Sequence, residues 1–477
     1  MSQISNAPKT LGIFALIMIT ITSVDSLRNL PATALFGSPL IIFFLIAGIG
    51  FLIPAALVAS ELAATFPKTG GIYIWVSKTF GKNFGLLAIW FQWVENVIWY
   101  PAILSFIAGT LAYVISPELA ENKYFLVIAI NLIFWGLTIL NLRGIKSSAN
   151  FSAFCGIAGL LIPMVLIIAL GVFWLATGHT SQIHFTHHSM FEGFFKPGSL
   201  VSLTAVILTF SGMEIATAHA QDVNNPKQAY PIALILSVLI IFFTMLLGSL
   251  AIAIIVPQNE LSLVAGIMQA FESFFQFYGI KFLAPVMAIC IVIGSLGSVS
   301  NWIIAPSRGL FIALQEVNAA KFLHYQNQNQ APSTLLLYQA LLVTIITMVF
   351  LLMPDVNSSY WYLTVLASQL YMVMYVMMFI TAIVARFKFP DIDRPFTIPG
   401  GKKGLFFICS LGALVSIFNF IIGFAPPEDI NIGDVRNYEL ALISGLIIMS
   451  CPPFFIYWLR NLNTPPALEN RMETSSN

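Results

Sequence analysis

From Pro39 to Ser60 the chain reads PLIIFFLIAGIGFLIPAALVAS, 22 residues without one charged side chain. A helix needs about 20 apolar residues to cross the hydrocarbon core of a bilayer. The run is not isolated. Comparable stretches fall near 10–36, 39–63, 83–115, 124–141, 151–177, 199–221, 231–256, 282–315, 333–353, 360–385, 404–424 and 438–460, which gives twelve expected spans. Composition agrees: only 9% of the residues are charged, against about a quarter in an ordinary soluble chain, and the mean hydropathy is +0.89. The pattern predicts an all-α polytopic membrane protein with the lipid bilayer as its solvent. A net charge of +1 suggests no nucleic-acid partner. Cys155, Cys290, Cys409 and Cys451 fall in four different apolar spans without metal or redox spacing, so they read as small buried residues, and no metal or cofactor is expected. The first residues, MSQISNAPKT, lack the basic region of a signal peptide, so the first span is expected to remain.

Two intervening pieces are too polar to span. Residues 66–81, FPKTGGIYIWVSKTFG, read as an interfacial or re-entrant helix, and 258–280 as an amphipathic helix on the opposite face. With the N-terminus inside, sixteen basic residues fall on the cytoplasmic side and four (Lys123, Lys196, Lys281 and Arg436) outside, leaving Arg28 within the membrane. That bias predicts a multi-pass protein of the bacterial inner membrane with both termini cytoplasmic. The expected organisation is a tail (1–9), a ten-helix core (10–385, in halves of about 10–177 and 199–385), a loop with two further helices (386–460) and a short tail (461–477).

Polar interruptions crowd into the first and sixth spans. The first holds Asp25, Ser26, Arg28, Asn29 and Pro31; the sixth holds Ser211, Gly212 and Glu214. Irregular backbone at membrane depth survives only where protein or a water-filled cavity satisfies it. Interrupted spans in matched places of two five-helix halves point to an inverted-repeat transporter with its substrate between them. For a zwitterionic amino acid, the amides of Ser26 and Leu27 suit the carboxylate at a half-helix start. The carbonyls around Ile21–Ser23 (hence Thr22 and Ser23) and Thr209–Ser211 suit the ammonium. The plain alternative is a pair of ordinary kinks.

The residues FSGMEIATAHAQDVNNPKQAYPIAL (210–234), ELAATFPKTGGIYIWVSKTFGKNFG (61–85), LNLRGIKSSANF (140–151) and NWIIAPSRGLFIAL (301–314) resemble, in order, motifs of the amino acid–polyamine–organocation transporters. The last is similar to the glutamate/γ-aminobutyrate antiporter branch. The resemblance implies a 5+5 inverted repeat (LeuT-like) with broken helices 1 and 6, plus two additional helices. It also implies alternating access to amino-acid substrates such as glutamate, with protons as a potential partner. Val24, Asp25 and Ser26 replace the family's Gly-x-Gly in the first break. The tail after the last span is expected to be too short for the C-terminal plug of the acid-resistance antiporter in that branch.

Intramembrane ionisable groups are functional candidates by default. Glu214 matches the family glutamate that implies proton-sensitive coupling or gating; otherwise it bonds loose backbone amides. Arg28 either clamps Asp25 to another buried acid or receives a substrate side-chain carboxylate with its planar fork. Glu95, deep in the third span, reads as a partner of Arg28 or as a proton site. Trp93, Trp99 and Tyr100 read as packing, and Phe210 as a gate by position. Ser298 and Ser300 open a lesser sodium reading. The transport alternatives are therefore an amino-acid antiporter and a proton- or sodium-coupled symporter of neutral amino acids. A non-transporting membrane sensor is the reading of another class. No catalytic set is expected, so the chain is not read as an enzyme.

Overall fold

The structure, a computed structural model, describes residues 12–68, 70–143, 157–194, 199–216, 226–427 and 430–463. Among these residues, ten helices are long and apolar enough to cross a membrane. They are α3 (Leu40–Thr65), α5 (Lys82–Ile115), α6 (Lys123–Leu142), α7 (Gly159–Ala176), α10 (Pro231–Ile255), α12 (Lys281–Glu316), α13 (Ser333–Leu352), α14 (Val356–Lys388), α15 (Gly401–Ile422) and α16 (Val435–Trp458). The first and sixth expected spans are not among the ten because each is cut in two. The first consists of α1 (Ile13–Val24) and α2 (Asn29–Ala34), the sixth of α8 (Ser202–Thr209) and α9 (Met213–Ala216).

Helix starts follow the polar residues that flank the apolar runs. The Asn122 side chain accepts from the amides of Tyr124 and Phe125. Asp355 and Ser358 form a reciprocal capping box at the head of α14, and Asp434 caps α16. Each cap satisfies amides that a helix start leaves without partners. Inside the spans, hydroxyls turn back to carbonyls of the preceding turn: Thr20 to Leu16, Thr209 to Ala205 and Ser249 to Met245. A polar atom is thereby met without leaving its own helix.

Helices α5 and α14 form the centre. In the apolar window of α5, 72% of residues are buried, against 11% in that of α16. α5 packs on α12 and α14, while α1 packs on α10 and against α9, so the two broken spans touch. Crossings are closed by small residues. A Cβ on Gly159 of α7 would lie 2.3 Å from the Gly294 Cα of α12.

Three local features refine the sequence expectations. The first break lies at residues 25–28, around the expected Asp25 and Ser26 and ahead of Pro31. Pro31 falls in the first turn of α2, where its missing amide hydrogen loses no bond. Residues 66–81 contain α4 (Ile72–Phe80), docked through buried Ile72, Tyr73, Ile74, Trp75, Val76 and Thr79 against α5 and α14. Residues 258–280 contain the expected amphipathic helix, α11 (Gly266–Phe277). It seats its first residue on the broken span, where a Cβ on Gly266 would come 2.8 Å from the Pro31 ring.

One end of the bundle is tied by charge. The Glu61 carboxylate of α3 accepts from Arg386 Nε at 2.9 Å, from Arg386 Nη2, and from the Ile398 amide at 2.7 Å. Nearby, Tyr73 Oη donates to Glu316 Oε2 at 2.8 Å, and Lys388 Nζ donates to the Thr79 carbonyl at 2.9 Å. Burial and the Glu316 bond push the Tyr73 phenol up. These contacts join α3, α4, α12, α14 and the loop at 389–400 on one face.

Candidate functional site

The two breaks face each other. Gly212 takes φ +109°, a conformation that L side chains rarely adopt, and a Cβ there would lie 3.2 Å from the Ser23 carbonyl oxygen and 3.7 Å from the Trp302 ring. The two breaks therefore approach each other backbone to backbone.

At the first break α1 ends with the Asp25 amide donating to the Ile21 carbonyl at 2.8 Å. The chain then runs through Ser26 and Leu27 before α2. Among the described residues, the amides of Ser26 and Leu27 and the carbonyls of Thr22, Ser23 and Val24 have no hydrogen-bond partner in the backbone. The side chains of Thr22 and Ser23 do not fill these positions, since their hydroxyls donate back to the carbonyls of Met18 and Ile19. Free amides at a half-helix start and free carbonyls at a half-helix end are what a zwitterion needs.

Asp25 and Arg28 do not pair with each other. Both oxygens of Asp25 accept from Thr244 Oγ1 of α10, at 3.1 and 2.9 Å. The clamp reading of Arg28 through Asp25 fails because the break, having no helical repeat, sends the two side chains to different neighbours. Arg28 is 1% exposed, with its guanidinium carbon 5.4 Å from the Trp99 ring centroid and 5.6 Å from that of Tyr360. The Tyr360 hydroxyl donates to the Arg28 carbonyl at 3.1 Å. Among the described residues, Arg28 Nε and Nη1 have no hydrogen-bond partner, and neither does Oε2 of buried Glu95, a carboxylate that, after Tyr360, acts electrostatically on Arg28. The buried guanidinium thus lies between two aromatic faces with donors unmet on opposite sides of its plane.

The second break is closed in comparison. Glu214 Oε1 accepts from the Tyr371 hydroxyl and from Gln92 Nε2 at 3.0 Å, and Oε2 accepts from Tyr375 Oη at 2.6 Å. The Gly212 amide donates to the same Tyr375 oxygen at 2.7 Å. Ser211 Oγ returns to the Ile207 carbonyl at 3.2 Å. Phe210 is fully buried between Phe44 of α3, 5.3 Å away edge-on, and Phe242 of α10, 6.3 Å away and stacked. Glu214 thus bridges α9, α5 and α14 as a hub of neutral donors.

The structure brings Ser26, Leu27, Arg28, Ser23, Gly212, Glu95 and Glu214 into one region. It turns Asp25 toward α10 and Phe210 toward α3 and α10. Trp99, read as packing, lies on Arg28; Tyr100, which donates to the Trp302 carbonyl at 2.8 Å, and Trp93, which donates to Ser307 Oγ, do pack. Ser300, one of the two hydroxyls of the sodium reading, accepts from Asn141 Nδ2 of α6 at 3.2 Å. His219, Asp222 and Asn225 lie outside the described residues. Missed from the sequence were Tyr360, Tyr371, Tyr375, Gln92, Trp302 and Thr244. The i, i+4 spacing of Tyr371 and Tyr375 on one helix face was the available signal.

Residues 11–447 match the family described as amino acid permease. An uncharacterized transporter of Legionella pneumophila is 39% identical over 455 residues, covering 95% of this chain and 97% of its own length. A glutamate/gamma-aminobutyrate antiporter of Lactococcus lactis is 31% identical over 458 residues, covering 95% and 91%. A probable agmatine/putrescine antiporter of the same species is 23% identical over 425 residues, covering 88% and 89%.

Proposed function

The chain belongs to the amino acid permease family, and from that premise we propose that it is an alternating-access amino-acid antiporter of the glutamate/γ-aminobutyrate type. In this reading twelve crossings, ten continuous and two broken, form a 5+5 inverted repeat with two additional helices in a bacterial inner membrane, both termini cytoplasmic. The substrate α-carboxylate takes the amides of Ser26 and Leu27. Its ammonium takes the carbonyls of Thr22 and Ser23 and those facing them at Thr209–Ser211. The side-chain carboxylate of glutamate takes Nε or Nη1 of Arg28, which point to opposite sides of the guanidinium, over Trp99 and Tyr360. Glu214 couples the second break to α14, and Phe210 gates the path by leaving the cluster it forms with Phe44 and Phe242.

One observation carries the acidic substrate: a cation 1% exposed, at a helix break, whose Nε and Nη1 have no partner among the described residues. Leaving donors of a buried charge unmet is destabilising by about 1–3 kcal/mol each, so a ligand that satisfies them gains that amount on entry.

The test is uptake of labelled glutamate by purified protein in liposomes, either empty or preloaded with glutamate or γ-aminobutyrate. Uptake that requires preloading and is lost in Arg28→Ala is the expected result. Uptake into empty vesicles driven by a proton or sodium gradient replaces exchange with symport. The charge of Glu95 acting on Arg28 favours the second reading, a coupled symporter of neutral amino acids, because a counter-ion inside the protein leaves none to be sought from substrate. Uptake of neutral amino acids alone, unaffected by Arg28→Ala, selects it.

A further inference from the structure

Three intramembrane carboxylates surround the two breaks, and their surroundings differ. Asp25 is bonded to Thr244, and Glu214 to Tyr371, Tyr375 and Gln92. Glu95 is 3% exposed, its Oε2 has no donor, and it is the acid whose charge acts on Arg28. Arg28, for its part, has two unpartnered nitrogens. The two side chains leave open groups of opposite charge, yet no hydrogen bond or ion pair joins them. Such a pair balances charge while leaving the guanidinium free to change partner.

We infer that Glu95 is the counter-charge that Arg28 exchanges for the side-chain carboxylate of an acidic amino acid, so that each acidic substrate is carried together with one proton on Glu95. This rests on the acidic-substrate reading above. Charge conservation in the membrane supplies the argument. With a zwitterionic substrate bound, cationic Arg28 and anionic Glu95 sum to zero. With a substrate carrying one extra negative charge, the sum stays at zero only if Glu95 is protonated. Moving an uncompensated charge through the bilayer centre costs at least about 2.5–3.5 kcal/mol, so the two loaded forms cross with similar ease only when the proton follows the acid. The titratable and charged groups acting on Glu95 are Arg28 from the first break, Glu214 from the second, Tyr100 on α5 itself, and Tyr371 and Tyr375 on α14. Of these, Glu214, Tyr371 and Tyr375 are bonded among themselves and Tyr100 to the Trp302 carbonyl, so the charge swap falls to Glu95 and Arg28.

The experiment exchanges external labelled glutamate against internal γ-aminobutyrate in liposomes carrying a trapped pH dye, with membrane potential set by potassium and valinomycin. Wild-type protein is expected to carry one proton per glutamate, to show no dependence on potential, and to lose apparent glutamate affinity by up to about tenfold per pH unit as Glu95 deprotonates. Glu95→Gln keeps exchange but moves no proton, becomes dependent on potential and loses the pH profile. Its glutamate affinity at neutral pH rises, because the competing carboxylate is gone; a merely structural Glu95 would not tighten binding. Glu95→Asp restores the proton and the profile. Exchange by wild-type protein without proton movement overturns the inference, as does a Glu95→Gln carrier that still moves the proton; both leave the acidic-substrate reading standing. A wild-type carrier that takes neutral amino acids at every pH and never glutamate overturns both.

Discussion

The two breaks look alike in sequence, each a knot of polar residues in an apolar span, and are opposites in structure. At the first, the amides of Ser26 and Leu27 and two nitrogens of Arg28 go unmet among the described residues. At the second, the Gly212 amide and both oxygens of Glu214 are taken by tyrosines and a glutamine. Unmet buried donors destabilise a fold, whereas a satisfied buried network stiffens it. In the proposed reading the first break receives substrate and the second holds its neighbours in register, so loss of function without loss of stability is expected at one, and loss of both at the other.

That contrast can be broken most sharply at Arg28. Arg28→Met keeps the volume and removes the charge. Glutamate uptake is expected to fall by about a hundredfold or more, as when a buried charge partner is truncated. The detergent melting temperature should hold, because Glu95, left without its counter-charge, takes up a proton rather than stay buried and ionised. A large drop in melting temperature would make Arg28 a structural clamp instead. Arg28→Lys should recover only part of the uptake, since an ammonium cannot reproduce the fixed donor positions of the guanidinium.

At the second break the signs reverse. Tyr375→Phe removes the donor to Glu214 Oε2 and the acceptor of the Gly212 amide together. It should lower stability by about 1–3 kcal/mol, visible in thermal unfolding, and slow exchange with little change in apparent substrate affinity. Gly212→Ala, at φ +109° and facing the Ser23 carbonyl, should cost about 1–3 kcal/mol and couple the two breaks through backbone repulsion. The smallest expected effect is Phe210→Leu. It weakens the aromatic contacts to Phe44 and Phe242 by about 0.5–1.5 kcal/mol each and should alter turnover more than affinity. An unchanged turnover would remove Phe210 from the gating reading.

Much of this architecture was legible because the bilayer imposes so few solutions. Apolar run length located the ten helices long and apolar enough to cross a membrane, and polar residues inside apolar runs located both interruptions. The first break falls where the polar run Asp25, Ser26 and Arg28 places it, and Pro31, the obvious helix breaker, sits in the first turn of the half-helix that follows, where a proline belongs. What surrounds Arg28 was not legible. Tyr360 lies 332 residues downstream, and periodicity tells which face of a helix is shared but not which helix lies opposite. Trp99 was discounted for the same reason, since an aromatic on a span face packs or binds according to a neighbour that the sequence does not name. Asp25 shows the converse error. Its nearness to Arg28 in the chain suggested a pair, but outside a regular helix a separation of three residues fixes no common face.

The six-residue length of α2 (Asn29–Ala34) bears on how the protein is made. With Asp25 and Arg28 beside it, the first span presents the insertion machinery with two charges, each disfavoured by about 2.5–3.5 kcal/mol at a helix centre. What offsets them in the finished molecule arrives late: Trp99 from α5, Thr244 from α10 and Tyr360 from α14. Chains truncated before Tyr360, which lack that partner of Arg28, are therefore expected to hold their N-terminal segment in a bilayer less firmly than the full chain does, as protease protection of that segment would read out.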